Sequence, residues 1–152
     1  MADNRGQALV EFSMTIGVFL LLLFGAFAAS LYTVERSAAV TAVAAGARVA
    51  VGGSPGPNGV NAPNLAGAGP AVVRVARPLL FGTPIDQLPP GQPCPPSVDG
   101  VQRGRVEVCA TQSGQLVTVR LEGWPRGLGP AAWGLGWSLD VSARVHTVTF
   151  SR

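Results

Sequence analysis

The stretch "RGQALVEFSMTIGVFLLLLFGAF", residues Arg5–Phe27, places one acid, Glu11, at the start of a long apolar run. The next formal charge is Glu35, so residues 12–34 are uncharged. A helix of about 20 apolar residues crosses the hydrocarbon core of a bilayer. The run is therefore long enough for a transmembrane helix. Glu11 needs its own explanation, because a carboxylate in lipid is energetically unfavourable.

The composition also favours a membrane-associated chain. Its 152 residues support one domain. Charged residues make up 12% of the chain, against about 25% in ordinary soluble domains. Every basic residue is Arg, and the arginines are scattered without a run. The sequence therefore indicates no nucleic-acid-binding patch.

The helical pattern continues beyond the apolar run. Residues 35–51 are rich in Ala, the strongest helix former, and contain no Pro. Gly52 and Gly53 then form a stop signal. The sequence predicts one helix over residues 7–53, membrane-spanning at first and then a solvent-exposed stem. Small residues on the stem favour close packing against other helices: Ala38, Ala39, Ala42, Ala45, Gly46 and Ala50.

A small head domain is predicted over residues 71–152, after a linker over residues 54–70 that is rich in Gly, Pro and Asn. A short amphipathic helix is expected to begin at Pro70, because Pro suits the first helical position. The Pro-rich stretch from Thr83 to Gly100 predicts an irregular segment. The expected fold class is α+β: a long N-terminal helix followed by a small antiparallel sheet with a short helix.

Three strands are indicated by alternating apolar residues. The first two form a hairpin around Ser113 and Gly114, and the third runs from Trp137 to Phe150 with a bulge or twist near Thr147. The side chains expected on the buried face are Val106, Val108 and Ala110, then Val117, Val119 and Leu121, then Leu139, Val141, Ala143 and Val145.

The chain has two cysteines, Cys94 and Cys109. Two cysteines in an exported domain more often form a disulfide than a site. Closing this loop would stabilise the head by about 3 kcal/mol and would hold the Pro-rich segment to the first strand. Two free, buried thiols are the alternative.

Nothing in the sequence indicates an enzyme, a metal site or a cofactor. His146 is the only histidine, and no nucleophile or zinc-ligand spacing accompanies it, so it is expected to be a solvated strand residue. Trp124, Trp133 and Trp137 lie in or beside a Gly-rich stretch. They could form an exposed adhesive or subunit-contact loop, but capping of the sheet is the favoured interpretation.

A family resemblance accounts for Glu11. "GQALVEF", residues 6–12, resembles the processing site of type IV pilin-like proteins. With the apolar run, "AAVTAVAAGARVAV" and the "GAR" at Gly46–Arg48, it resembles TadE-like pseudopilins of the tight-adherence (Tad) pilus. The resemblance implies a leader over residues 1–6, cut between Gly6 and Gln7 by prepilin peptidase. It also implies that Glu11, followed by the aromatic Phe12, attracts the N-terminal amine of a neighbouring subunit during assembly.

The function that the resemblance implies is that of a structural pilus subunit, minor or major. Its partners would be other pilin subunits, the prepilin peptidase, the assembly platform and the membrane through residues 12–34. The head would lie outside the cytoplasmic membrane or on the extracellular filament. One departure is Gln7, which as an N-terminal residue can cyclise and lose the ammonium that would pair with Glu11.

Several alternatives stay open at this point. The apolar run could be a secretory signal cut near Ser30, or an anchor for a head that never polymerises. The head could be an adhesin-like binding module. Glu11 could instead reach the headgroups and favour the helix dipole.

Overall fold

A computed structural model describes residues 4–53, 62–126 and 137–147. It contains a long helix, a second short helix, a four-stranded sheet and one 3-10 turn, which confirms the α+β class. In chain order the elements are α1 (Asn4–Val51), α2 (Leu65–Ala76), β1 (Ile85–Gln87), the 3-10 turn (Val98–Gly100), β2 (Val106–Ser113), β3 (Leu116–Gly123) and β4 (Leu139–His146).

Helix α1 is continuous over 48 residues, about 72 Å at about 1.5 Å per residue. It begins at Asn4, three residues before the predicted start. It ends at Val51, directly before Gly52 and Gly53, the stop signal in the sequence. The helix is long and apolar enough to cross a membrane.

The sheet has the order β1-β2-β3-β4. Strands β2, β3 and β4 are antiparallel, as predicted, but β1 pairs with β2 in parallel, so the sheet is mixed. The predicted irregular segment was therefore wrong at Ile85–Gln87. These residues lie between prolines and pair at the sheet edge, where the Pro84 carbonyl accepts from the Val106 N–H at 3.1 Å.

The predicted helix start at Pro70 was wrong. Helix α2 begins at Leu65, inside the predicted linker, because the Asn64 side chain caps it by accepting from the Gly67 N–H at 2.9 Å. Pro70 lies within the helix and gives up the backbone bond to the carbonyl one turn earlier. The sequence signal from Pro70 was outweighed by the cap at Asn64.

The core lies between the sheet, α2 and the second half of α1. The predicted inward faces of β2, β3 and β4 supply the sheet side of this core. One face of α1 from Ala38 onward is buried there, so this part is not the solvent-exposed stem that the sequence predicted. The helical core residues are Ala39, Ala42, Val43, Ala47 and Ala50 of α1 with Ala68, Val72, Ala76 and Leu80 in and after α2.

Candidate membrane anchor and assembly site

The first half of α1 stands clear of the described part of the head and exposes apolar side chains on every side. Residues 6–27 are all exposed, and Leu9 and Leu21 reach 70% and 71% exposure. Such a surface is unfavourable in water, because folding removes none of its apolar area from contact with water. A helix that is apolar on every side suits a membrane or a bundle of similar helices.

The serine and threonine hydroxyl groups of α1 are satisfied within the helix. Each Ser or Thr donates to a backbone carbonyl three or four residues earlier, at distances from 2.7 to 2.9 Å. Thr15, for example, donates to the Glu11 carbonyl at 2.8 Å. Because a bilayer offers no water to pair with polar groups, this self-pairing suits a helix buried in lipid.

The predicted processing and assembly residues lie together in the first turns of α1. Gly6 has open space around it, and Phe12 is 66% exposed. The Gln7 side-chain amide donates to Glu11 Oε1 at 3.2 Å. The structure thus places the residue expected to become N-terminal one turn from the acid. The roles of these residues in processing and assembly stay predictions.

The apolar run joins the head through an aromatic contact. The Tyr32 and Trp137 rings lie 4.8 Å apart, centroid to centroid. Glu35 follows one turn later and is only 7% exposed. Trp137, two residues before β4, remains 47% exposed although it contacts the last turn of the apolar run.

The three tryptophans do not share one role. Trp124 is half-buried, donates its indole N–H to the Val98 carbonyl at 3.3 Å and lies under the Arg103 guanidinium. It packs at the sheet end, as the capping interpretation predicted. Trp137 contacts α1 instead. Trp133 lies outside the described residues, as do Val148 and Phe150.

The predicted disulfide between Cys94 and Cys109 is present, with Cα atoms 5.5 Å apart. Cys109 is buried on the sheet face opposite the core, and the bond brings the Pro-rich segment onto that face. The Pro95 carbonyl there accepts from Arg120 Nη1 at 2.6 Å. The disulfide and this hydrogen bond together hold the segment against β2 and β3.

A charged cluster on the same outer face was missed by the sequence analysis. Arg120 donates through Nε and Nη2 to the two carboxylate oxygens of Asp140, both at 2.9 Å. Glu122 is fully buried nearby, with Oε2 3.0 Å from Arg120 Nη2. The only sequence signal was the placement of Arg120 and Glu122 on one strand face, since Asp140 joins them through the β3–β4 register.

The cluster shifts its carboxylates in opposite directions. Hydrogen bonds from Arg120 lower the pKa of Asp140. Burial raises the pKa of Glu122, although Arg120 opposes the rise. Asp140 is a half-exposed carboxylate that accepts two hydrogen bonds from Arg120. Glu122 is a desolvated acid, and its 3.0 Å contact with Arg120 Nη2 lacks hydrogen-bond geometry. The cluster links β3 to β4 on the outer face of the sheet.

His146 is exposed at the end of β4, as predicted for a solvated strand residue. Within residues 4–53, 62–126 and 137–147, no three His, Cys, Asp or Glu side chains form a group that could hold a metal ion.

Comparison with protein families gives a match for α1. Residues 6–48 match the model described as TadE-like protein. The match covers most of α1, from Gly6 to Arg48, and confirms the sequence resemblance over this segment. It associates the helix with the tight-adherence pilus family. Comparisons with curated proteins and with solved structures gave no match.

Proposed function

We propose that this protein is a pilin-like structural subunit, minor or major, of a Tad pilus. It is anchored by residues 12–34 and assembled after prepilin peptidase cleaves between Gly6 and Gln7. The observation that carries the proposal is the TadE-like match over residues 6–48, on a helix whose apolar half is left uncovered by the described part of the head. The role is structural rather than catalytic, with the head outside the cytoplasmic membrane.

In this proposal Glu11 sets the axial stagger between neighbouring subunits during assembly. In the uncut chain it accepts a hydrogen bond from the uncharged Gln7 side-chain amide at 3.2 Å. Cleavage creates an ammonium at Gln7, and a neighbouring subunit can bring that ammonium to Glu11. Pairing the two charges removes much of the cost of a carboxylate at the edge of the bilayer. Subunits displaced along the helix axis lose that pairing, so only one stagger is favoured.

Cleavage is tested by N-terminal sequencing and intact mass of the protein from native membranes and sheared filaments. A chain that begins at Gln7 and keeps the apolar helix supports the proposal. A start near Ser30 would indicate a secreted domain, and an intact N-terminus would indicate a non-polymerising anchor. A mature chain lighter by one ammonia would show that Gln7 is cyclised and that no ammonium is available to Glu11.

Assembly is tested by Glu11→Gln, with Ser13→Ala as the matched control on the same helix. Ser13 bonds its own backbone at 2.9 Å, so its loss is expected to leave assembly intact. Glu11→Gln is expected to be cleaved and inserted normally but to be lost from sheared filaments, while Glu11→Asp keeps part of the wild-type level. Filaments that contain Glu11→Gln at the wild-type level would contradict the role assigned to the charge.

A further inference from the structure

We infer that one face of the head lies against the membrane surface. This face, here called the basal face, is formed by Leu79, Phe81 and Trp137 with Arg77 and Arg126. The inference rests on the proposed membrane anchoring of α1. The partner is an anionic phospholipid surface.

The exposed apolar residues of the head gather in the basal face. Among described residues outside α1, three large apolar side chains remain exposed: Leu79 at 40%, Phe81 at 42% and Trp137 at 47%. Phe81 has a φ of 46°, the single positive φ of a non-glycine residue in the described ranges. The chain thus holds a bulky aromatic residue in an unfavourable conformation, outside the core.

The sheet register places these residues beyond one end of the sheet. Ile85, Val106, Gly123 and Leu139 form one row across the four strands. Trp137 lies two residues before Leu139, the first residue of β4. At the other edge of the sheet, the chain after Phe81 enters the row at Ile85 of β1.

Arg126 extends from the same row beyond β3. Its backbone N–H donates to Thr83 Oγ1 at 2.8 Å, which ties the segment after Gly123 to the segment after Phe81. Both segments, and the start of β4, therefore lie at one end of the head.

The helix packing shows that this end faces the apolar half of α1. Helix α2 runs antiparallel to α1, because Asn64 bonds the Ala50 carbonyl and Gly46 lies beside Val72. Continued along α2, the pairing brings its last residue, Ala76, toward the start of the buried part of α1. Leu79 and Phe81 follow α2, so they lie on the side of the head toward the uncharged run.

The aromatic contact gives the same position independently. Tyr32 belongs to the last turn of the uncharged run, and its ring lies 4.8 Å from that of Trp137. If residues 12–34 span the bilayer, Trp137 lies at the depth where the hydrocarbon gives way to headgroups.

The chemistry of the basal face matches an anionic headgroup layer. Tryptophan and other aromatic side chains favour this layer, and arginines extend their charges into it. Arg77 and Arg126 are exposed, and Arg36 adds a third exposed cation at the same level of α1. The acid beside it, Glu35, is buried and does not offset that charge at the surface. Positive charge at this depth attracts anionic lipid.

The test uses the full chain in phosphatidylglycerol-containing vesicles, with one nitroxide placed by cysteine substitution. The native cysteines are disulfide-bonded, so the added thiol is labelled selectively. Leu79→Cys reports the basal face, Gln115→Cys reports the opposite end of the sheet, and Leu21→Cys reports the anchor. Relaxation by oxygen, which concentrates in lipid, is compared with relaxation by a water-soluble nickel chelate.

We expect the label at position 79 to respond to oxygen more than to nickel, and the label at position 115 to show the reverse. Arg77→Gln with Arg126→Gln, or vesicles of phosphatidylcholine alone, should shift position 79 toward the nickel response. Equal responses at positions 79 and 115, with position 21 in lipid, would overturn the basal contact and leave the anchor intact. Position 21 in water would overturn the anchoring itself.

A second copy of the chain could cover the same face, and the experiment separates that case. Shielding of position 79 from nickel that increases with protein concentration, without a gain in oxygen response, would assign the face to a subunit contact. That result would overturn the lipid assignment.

Discussion

Replacing Gly46 with Ala tests the packing of α1 against α2. A Cβ at position 46 would overlap Cγ2 of Val72, and it would lie 3.1 Å from the Ala68 carbonyl oxygen and 3.4 Å from Val119 Cγ1. Val72 and Val119 are fully buried, and Ala68 presents backbone. The added methyl group therefore has little space, and α1 and α2 must separate to admit it.

Two opposing terms set the magnitude. Overpacking a buried contact costs about 1–3 kcal/mol, and the blocked approach here favours the upper end. Replacing a helical Gly with Ala stabilises the helix by about 1 kcal/mol. We therefore expect Gly46→Ala to lower the free energy of unfolding of the head by a net amount of about 2 kcal/mol.

The double variant with Val72→Ala separates the two terms. Without Val72 Cγ2 the overlap is gone, so Gly46→Ala should become neutral or stabilising by up to about 1 kcal/mol in that background. Gly25→Ala is the matched control, since no atom lies within 4 Å of its added Cβ. It makes the same chemical change in α1 without a contact to the head.

The assay is urea unfolding of the full chain in nanodiscs, followed by the fluorescence of the head tryptophans. A Gly46→Ala variant that is more stable than the wild type would refute the close approach of the two helices. An equal loss of stability in the presence and absence of Val72 would show that Val72 is not the residue that blocks the methyl group.

Two further predictions concern the outer face of the sheet. Cys94→Ala with Cys109→Ala should lower the unfolding free energy by about 3 kcal/mol, and a reductant should destabilise the wild type but not this variant; equal urea midpoints for reduced and oxidised wild type would contradict a stabilising disulfide. For Glu122, burial raises the folded pKa above the ordinary value of 4.5, so its contribution to stability is full below pH 4.5 and is lost as pH rises through the folded pKa. Glu122→Gln does not titrate, so its urea midpoint should fall less than that of the wild type between pH 4.5 and neutral pH. Asp140 stays ionised in this window because its pKa is lowered from 3.8; parallel pH profiles for variant and wild type would contradict the burial of a titrating Glu122.

The sequence by itself determined the features that depend on local pattern. The uncharged run over residues 12–34 and the Pro-free, Ala-rich continuation determined a single long helix. Alternation with a period of two determined the inward faces of β2, β3 and β4, because side chains of a strand point to opposite sides in turn. The motif around Glu11 was visible for the same reason, since its residues lie within two helical turns.

The tertiary structure decided what depends on partners distant in the chain. The parallel pairing of β1 with β2 needed the edge beside Val106. Burial of one face of α1 needed α2, whose start depended on the cap at Asn64 and not on Pro70. The charged cluster needed the β3–β4 register to bring Asp140 to Arg120, and the basal face needed Trp137 to meet Tyr32. Composition and spacing limit which segments can pair, but the choice among pairings depends on side-chain packing and hydrogen bonds that form only when distant segments meet.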